Sequence, residues 1–230
     1  AGAKVSFRLP SNTGEGSVQY RVNDGAWTSY SSLAEITLGS VGDKVQFRGK
    51  MDTYYVNNFD YGRYYCTAPC YLYGNVMSLV TDYSSDEKAF QTNKKLAGSF
   101  TFYELFRANM YIRDLASRPL VLPATQLANN CYQDMFSGCT GLTSAPALPA
   151  TTLASNCYDS MFYGCTSLTS TPALPATQLA AYCYYSMFGG CTALTTAPAL
   201  PATQLADYCY QDMFGECTAL TAAPALPATQ

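Results

Sequence analysis

The strongest constraint on this chain is a sequence that repeats itself every 26 residues. The first copy, at 122–147, reads LPATQLANNCYQDMFSGCTGLTSAPA. Further copies follow in register, beginning at Leu148, Leu174 and Leu200, with a partial one from Leu226 to the last residue. A fixed period of this length is typical of stacked repeat arrays, in which one copy cannot bury its apolar face alone. We therefore expect any function to reside on an array of similar modules.

The pattern inside each copy predicts a short helix followed by a short strand. Leu127, Cys131 and Met135 recur at four-residue intervals, as on the apolar face of a helix. The stretch 142–146 is short and extended, and prolines end it. Stacked copies would place the strands in a parallel sheet with the helices behind it. The predicted fold class is an α/β leucine-rich-repeat solenoid of 26-residue repeats, with a full or partial copy starting at 122, 148, 174, 200 and 226.

Comparison of the copies predicts which positions face the core. The Leu, Cys, Tyr, Met and Phe positions and the second Cys do not vary, so we expect them to be buried. The varying positions should face solvent. They form the columns Asn129/Ser155/Ala181/Asp207, Asn130/Asn156/Tyr182/Tyr208, Gln133/Asp159/Tyr185/Gln211 and Ser137/Tyr163/Gly189/Gly215.

Residues 1–73 have the pattern of a small all-β, sandwich-like domain. Short alternating segments recur along this part of the chain, and Asn23-Asp24-Gly25 is a strong hairpin signal. Trp27, the only tryptophan, is expected to lie in the core of this domain rather than to form a ligand platform.

Residues 74–121 form a predicted transition that ends in a degenerate repeat. Leu105 and Phe106 match Met135 and Phe136 of the first full copy, although the spacing is 30 residues instead of 26. A degenerate terminal unit is what a capping repeat requires. The predicted organisation is therefore a β domain at 1–73, the capping unit within 74–121 and the array at 122–230.

Eight of the ten cysteines belong to the repeats, where the two members of a pair lie eight residues apart. On a helix this separation is about 12 Å, beyond the reach of about 7 Å that a disulfide allows. We expect buried free thiols, with bridges between neighbouring repeats as the alternative. Cys66 and Cys70 predict a local disulfide or two free thiols rather than zinc, because zinc needs four ligands.

The charge pattern and the absence of histidine exclude several functions. The formal net charge is −3, and no Lys or Arg follows Arg118. A nucleic-acid partner is not expected, because the array would repel a phosphate backbone. Without histidine there is no Ser–His or Cys–His pair, so we expect no enzyme, no catalytic residue, no metal site and no cofactor.

No apolar run in the sequence approaches the roughly 20 residues that span a bilayer. No secretory signal peptide is visible at Ala1. Any membrane association is therefore expected only through an anchor outside this sequence.

The repeat LPATTLASNCYDSMFYGCTSLTSTPA resembles the BspA-like leucine-rich repeats of bacterial surface proteins of the Bacteroides type. The shared elements are MFxGCTxLT, the doubled cysteine and the proline-bounded strand, over roughly 100–230. The resemblance implies a right-handed solenoid, a place at the bacterial cell surface or in the secreted fraction, and adhesion to host matrix proteins or other cells.

Tyrosine is unusually frequent, at twenty residues, and several tyrosines fall at varying positions. Exposed tyrosine suits binding surfaces, because it buries a large area at small entropic cost. The candidate ligand-binding residues are Tyr163, Tyr182, Tyr185, Tyr208, Asp159, Asp207 and Asp212. The invariant column Tyr132/Tyr158/Tyr184/Tyr210 is expected to serve packing.

The predicted function is a non-catalytic cell-surface binding or adhesion module for a host extracellular protein, a glycan or another cell surface. The alternative is a structural spacer that displays another domain without a ligand of its own, its variable face merely solvated. A third interpretation places the ligand site in the β domain, around Trp27 and Tyr54-Tyr55.

Overall fold

The computed structural model describes residues 2–14, 17–51, 55–57, 60–81, 89–96 and 98–228. For 55–57 only the backbone is described. Short strands account for most of the regular secondary structure in this part of the chain. They are β1 (Ala3–Arg8), β2 (Val18–Val22), β3 (Thr28–Ser29), β4 (Ile36–Leu38), β5 (Val45–Gly49), β6 (Tyr55–Asn57), β7 (Asp60–Tyr61), β8 (Arg63–Cys66), β9 (Cys70–Tyr71), β10 (Gly74–Asn75), β11 (Ile112–Arg113) and β12 (Leu120–Val121).

The amino-terminal region contains two three-stranded antiparallel sheets, ordered β4-β1-β8 and β3-β2-β5, with β6 paired to β7. The predicted β structure of 1–73 is thus observed. The two larger sheets pack on each other through aromatic rings: the Phe47 centroid lies 5.9 Å from that of Phe7 and 5.2 Å from that of Tyr64. The predicted turn is present as well, since Asn23 and Asp24 both have positive φ and the amide of Gly25 donates to the Val22 carbonyl.

The predicted α/β leucine-rich-repeat solenoid is wrong. The described residues contain no α-helix, and their only helical segments are the 3₁₀ turns Val76–Leu79 and Ala89–Gln91. The right-handed solenoid implied by the resemblance is overturned with it. The segments predicted to be helices are runs of overlapping turns, and the predicted strand at 142–146 is reduced to an isolated parallel bridge between Ser144 and Ser170.

The turns alternate between two kinds of backbone hydrogen bond. The amides of Cys131 and Met135 donate three residues back, to the carbonyls of Ala128 and Tyr132, at 3.4 and 3.2 Å. The intervening amide of Tyr132 donates instead to the Cys157 carbonyl of the next copy, at 3.0 Å. Half of the amides therefore close turns and the other half join successive copies. A helix would direct all of them four residues back within one copy.

The backbone angles explain why a helix does not form. In the first full copy φ is 57° at Asn130, 54° at Asp134 and 73° at Gly138, so that every fourth residue is left-handed. A right-handed helix needs negative φ at every residue. Positive φ at the third position of a four-residue turn is instead what a type II turn requires.

We name these units coils. Coil 1 comprises the described residues of 89–121, and coils 2 to 5 are 122–147, 148–173, 174–199 and 200–225. The invariant Cys, Tyr, Met and Phe positions of coils 2 to 4 lie in the core of the stack, as the sequence comparison predicted. The invariant leucine column that begins at Leu127 does not, since Leu127 is buried, Leu153 and Leu179 are half-buried and Leu205 is 47% exposed. Phe136 and Phe162 are fully buried, with ring centroids 5.5 Å apart and planes within 2°. Tyr158 and Tyr184 form a parallel column at 5.7 Å.

The predicted degenerate repeat is part of the same stack. The Phe106 ring stacks on Phe136 at 5.3 Å, and the Phe106 amide donates to the Met135 carbonyl at 2.9 Å. Coil 1 also continues into the amino-terminal region, because β9 pairs with β11 and β10 with β12, both in parallel. One continuous hydrophobic core therefore runs from the β sheets into coil 5.

Candidate binding face

Two varying columns form one lateral strip of the stack. The first column is Asn130, Asn156, Tyr182 and Tyr208, and the second is Gln133, Asp159, Tyr185 and Gln211. Asn130 Nδ2 donates to Gln133 Oε1 at 2.7 Å within coil 2, which shows that the columns are neighbours. Along the strip the side chains change from amides and a carboxylate in coils 2 and 3 to tyrosines in coils 4 and 5.

Three of the predicted tyrosines form a cluster on this strip, which we name the tyrosine face: Tyr182, Tyr185 and Tyr208. The Tyr182 and Tyr208 rings stack with centroids 4.7 Å apart and planes 20° apart. Tyr185 lies 5.8 Å from Tyr182 and is tilted by 56°. Tyr208 is 56% exposed, while the other two are half-buried. The cluster thus presents phenol edges, hydroxyls and one open ring to solvent.

The backbone under Tyr182 and Tyr208 is left-handed, with φ of 57° and 55°. Coils 2 and 3 carry Asn130 and Asn156 at this position, and asparagine tolerates left-handed angles better than a bulky residue does. Tyrosine is therefore a costly choice for the backbone here. An unfavourable residue at an exposed position is explained by what its side chain does, in this case stacking and presenting a surface.

Asp159 is buried, contrary to the expectation that varying positions face solvent. It is 8% exposed and accepts hydrogen bonds from Gln133 Nε2 at 2.9 Å, Asn156 Nδ2 at 3.2 Å and Ser160 Oγ at 2.8 Å. Burial raises the pKa of its carboxyl group, and the bonds from Ser160 and Asn156 oppose that shift. Asp159 therefore organises the polar half of the strip and has little surface for a ligand.

The other two predicted aspartates are exposed and lie in coil 5. Asp207 is close enough to Tyr182 to raise the pKa of its phenol, after the larger contributions of desolvation and Tyr208. Asp212 accepts a hydrogen bond from Gln211 Nε2 at 3.3 Å. With no Lys or Arg after Arg118, these carboxylates give the face a mildly negative character. A strongly anionic partner is therefore disfavoured.

Tyr163 belongs to another column and is 47% exposed. Its ring lies over Gly189 of the next coil, where an added Cβ would stand 2.9 Å from Cδ2 of the ring. Glycine at 189 is therefore what allows this ring to lie flat on the stack. The structure thus brings together Tyr182, Tyr185, Tyr208 and Asp207, while Tyr163 lies in another column and Asp159 is buried in coil 3.

The cysteines of the repeat are packing residues with a defined hydrogen bond. Cys165 and Cys191 donate through Sγ to the carbonyls of Phe136 and Phe162 in the preceding coil, each at 3.1 Å. Burial raises the pKa of Cys191 to about 12, so this thiol is neutral near pH 7. It gives a second hydrogen bond to a carbonyl that already accepts from the Cys165 amide at 3.1 Å, and it fills a small apolar volume.

Cys66 and Cys70 lie together at the junction with coil 1, with their sulfur atoms 2.7 Å apart. The Cys66 thiol also donates to Asn109 Oδ1 at 3.2 Å. The hydrogen bond from Cys70 lowers the pKa of Cys66 and raises that of Cys70. Of the two alternatives predicted from the sequence, a local disulfide or two free thiols, the structure has the free thiols.

Comparison with known proteins gives no relative. No family model, no curated protein and no solved structure matches the chain. Within the described residues, no helix has the length and apolar character to cross a membrane. Among the same residues, no three His, Cys, Asp or Glu side chains gather in a way that could hold a metal ion.

Sequence reasoning found the columns of the face but missed the residues that organise it. Gln133 and Asn156 hold Asp159, and neither was singled out. The signal was available, because both stand at varying positions of the two columns that carry the tyrosines. The side chain of Tyr55 and all of Tyr54, part of the third interpretation, lie outside the described residues.

Proposed function

We propose that the chain is a non-catalytic recognition module that binds an extracellular protein or glycan through the tyrosine face. The observation that carries this proposal is the stacked, solvent-facing pair Tyr182 and Tyr208 on left-handed backbone, where coils 2 and 3 have asparagine. Tyrosine edges and hydroxyls beside Gln211 and Asp207 offer both apolar area and hydrogen bonds.

The chemistry of the face limits the partner. The surrounding carboxylates Asp207 and Asp212 favour a neutral or basic surface over a polyanion. The stacked rings project from neighbouring coils, so the face suits an extended ligand that spans at least two of them. A place at the bacterial surface and the resemblance to BspA-like proteins stay predictions.

The test is a binding screen of the purified chain against neutral glycans and extracellular matrix proteins. The informative variant is Tyr182→Asn with Tyr208→Asn and Tyr185→Gln, because the chain itself uses Asn and Gln at these positions in other coils. The backbone is thereby kept in a conformation that the new residues tolerate. We expect a saturable hit whose affinity falls at least about tenfold in the variant.

Tyr163→Ser is the matched control, since coil 2 carries Ser137 in that column. It removes an exposed tyrosine outside the tyrosine face and should leave binding unchanged. Equal binding by the chain and the face variant, with unchanged circular dichroism, would refute the tyrosine face as the site.

A structural spacer is the second candidate, and the regularity of the stack favours it. Equivalent inter-coil bonds, from Phe136 to the Met161 carbonyl and from Phe162 to the Met187 carbonyl, are both 2.9 Å. Such a rod could hold another element at a set distance. This interpretation predicts that the chain binds neither the glycans nor the matrix proteins of the screen. It also predicts a function that depends on the number of coils and not on their tyrosines.

A further inference from the structure

The amino-terminal region contains a cavity that the packing of its segments leaves unfilled. Its volume is about 850 Å³. The cavity lies between sheet β3-β2-β5 and the segment that carries β9 and β10, and its apolar lining includes Leu38, Val45, Phe47, Leu72 and Leu120. These five side chains are only partly buried. Protein interiors are normally close-packed, and a void of this size is in the range of small-molecule sites.

The apolar lining costs free energy as long as it stays in contact with water. Leaving apolar surface exposed costs roughly 25 cal/mol for each Å². Val41 and Tyr71, at the rim, are also strongly exposed, at 94% and 62%. An apolar ligand body would recover part of this free energy.

Cations are concentrated at one side of the same cavity. The described lining contains Arg21, Lys44, Arg48 and Arg118 but, of carboxylates, only Asp43. The guanidinium carbons of Arg21 and Arg48 lie 4.6 and 4.2 Å from the ring centroid of Trp27, which also lines the cavity.

Asp24 joins Lys44 to the same group as Arg21. Lys44 Nζ lies 2.5 Å from Asp24 Oδ2, and Arg21 lies 3.7 Å from Oδ1. The pKa of Asp24 is lowered chiefly by its hydrogen bond to Lys44, with smaller contributions from Arg21 and Arg118. Arg21, Lys44 and Arg48 thus gather around one exposed carboxylate and one indole, next to an apolar cavity that Arg118 also lines.

We propose that this cavity binds an anionic amphiphile, whose apolar body lies against Val45, Phe47 and Leu72 and whose carboxylate or phosphate head lies among the cations. Guanidinium groups suit such heads because they donate two parallel hydrogen bonds. None of the cavity residues belongs to the tyrosine face, so this site is independent of the proposed recognition function.

Trp27 provides a direct assay, because it is the only tryptophan and lines the cavity. The probes are tetradecanoate, tetradecyl phosphate and neutral tetradecanol, each titrated below its micelle concentration while tryptophan fluorescence is recorded. Calorimetry gives the affinity without relying on Trp27. We expect saturable binding of both anions, at least about tenfold tighter than that of the alcohol.

Two variants distinguish the contribution of the ligand's anionic head from that of its apolar body. Arg48→Gln with Arg118→Gln should weaken the anions about tenfold or more and leave the alcohol unchanged. Val45→Phe reduces the cavity volume and should weaken all three probes. The melting temperature, measured for both variants, shows whether they fold.

The proposal is overturned if calorimetry detects no saturable binding of either anion to the unmodified chain. It is also overturned if the alcohol binds as tightly as the anions, or if the folded double arginine variant keeps the affinity of the original. Preference for one anion over the other identifies the head group. The Tyr182→Asn/Tyr208→Asn variant should bind the amphiphiles normally, so failure here and failure of the tyrosine face are separate outcomes.

Discussion

The two ends of the coil stack solve the same hydrogen-bonding problem differently. At the amino-terminal end, coil 1 exposes carbonyls toward the β region, and that region supplies the donors. The amide of Tyr64 donates to the Leu105 carbonyl at 2.7 Å, and an Arg63 guanidinium nitrogen donates to the Arg107 carbonyl at 2.6 Å. The Tyr64 ring lies 5.8 Å from Phe106 and continues the phenylalanine column. Strand β8 thus occupies the place of a preceding coil.

At the other end, coil 5 presents donors. In the described part of the chain no acceptor faces the amides of Tyr208, Tyr210, Asp212, Phe214 and Glu216, the positions that join one coil to the next elsewhere. The core also opens there, because Phe214 and Tyr210 are half-buried while Phe188 and Tyr184 are at most 1% exposed. Within residues 2–228 the stack is therefore polar along its axis, with capped acceptors at coil 1 and unpaired donors in coil 5.

From this difference we expect local stability to decrease along the stack toward coil 5. Each coil depends on its neighbours for half of its backbone hydrogen bonds and for both faces of its aromatic columns. Coils with two neighbours, and coil 1 with its cap, should be hard to open. In this polypeptide of 230 residues, coil 5 has one neighbouring coil and should open most readily.

The largest expected effect is the loss of a ring from the middle of the phenylalanine column. Phe162 is fully buried between Phe136 and Phe188, so Phe162→Ala should lower the free energy of unfolding by about 4 kcal/mol. Phe214 has one stacking partner, Phe188, and Phe214→Ala should cost less than about 2 kcal/mol. Urea unfolding followed by circular dichroism measures both. Equal losses of unfolding free energy in the two variants would contradict the proposed gradient of stability along the stack.

A somewhat smaller effect is expected at the cap, where a buried carboxylate joins coil 1 to the β region. Glu104 is hydrogen-bonded by Tyr61 and Arg107, and Arg63 lies 3.6 Å away. Glu104→Ala removes the shared partner of two arginines and should cost about 3 kcal/mol. Asp212 occupies the same column at the open end and is exposed, so Asp212→Ala is the matched control and should change the unfolding midpoint little. A larger effect at Asp212 than at Glu104 would contradict the role of the cap.

The carboxyl group next in that column should make stability depend on pH. Burial raises the pKa of Asp134 from its ordinary value of 3.8 to about 6, with Arg107 opposing the shift. Because the folded state holds this proton more tightly, its contribution is favourable below pH 4 and is lost as the pH rises to 6. Asp134→Asn should therefore stabilise the chain by about 1–2 kcal/mol at pH 7 and hardly at all at pH 4. A gain of the same size at both pH values would show that ionisation is not the cause.

The smallest effect concerns the thiol that bonds to the preceding coil. Cys165→Ala removes one of two donors to the Phe136 carbonyl, which still accepts from the Cys139 amide at 2.9 Å, and should cost about 1 kcal/mol. Cys165→Ser keeps a donor of similar size and tests whether the hydrogen bond or the sulfur volume matters. At the open end Cys217 is more accessible, and Cys217→Ala should cost less. A greater loss of stability in Cys217→Ala than in Cys165→Ala would contradict the proposed gradient of stability.

The repeat, most of its core residues and the capping unit could be predicted from the sequence. The predicted helical conformation of the backbone was wrong. Leu127, Cys131, Met135 and Cys139 suggest a helix because helices also bring residues four apart together. In a helix, however, each step of four residues rotates the side chain by about 40°, so this strict spacing would leave one face within a few steps. The same spacing in Asn130, Asp134 and Gly138, residue types that tolerate positive φ, was the overlooked signal.

The candidate face was predictable in part from the comparison of the copies. Comparison of copies showed which positions vary, and so it found Tyr182, Tyr185 and Tyr208. It could not show that Asp159 is buried, because that depends on amides from two different coils meeting one carboxylate. The third interpretation named Trp27, which lines the cavity of the β region, but the cavity itself was out of reach, since it arises from a gap between segments distant in sequence.

The most direct test of the coil architecture is residue-level amide hydrogen exchange, measured by NMR on the whole chain. In coil 3 we predict slow exchange at both alternating sets, because Tyr158, Ser160 and Phe162 donate to coil 4 while the intervening amides close turns. In coil 5 we predict alternation, with fast exchange at Tyr208, Tyr210, Asp212 and Phe214 and slower exchange at the residues between them. Uniform protection through 208–214 would indicate helical bonding within one repeat and would contradict the account.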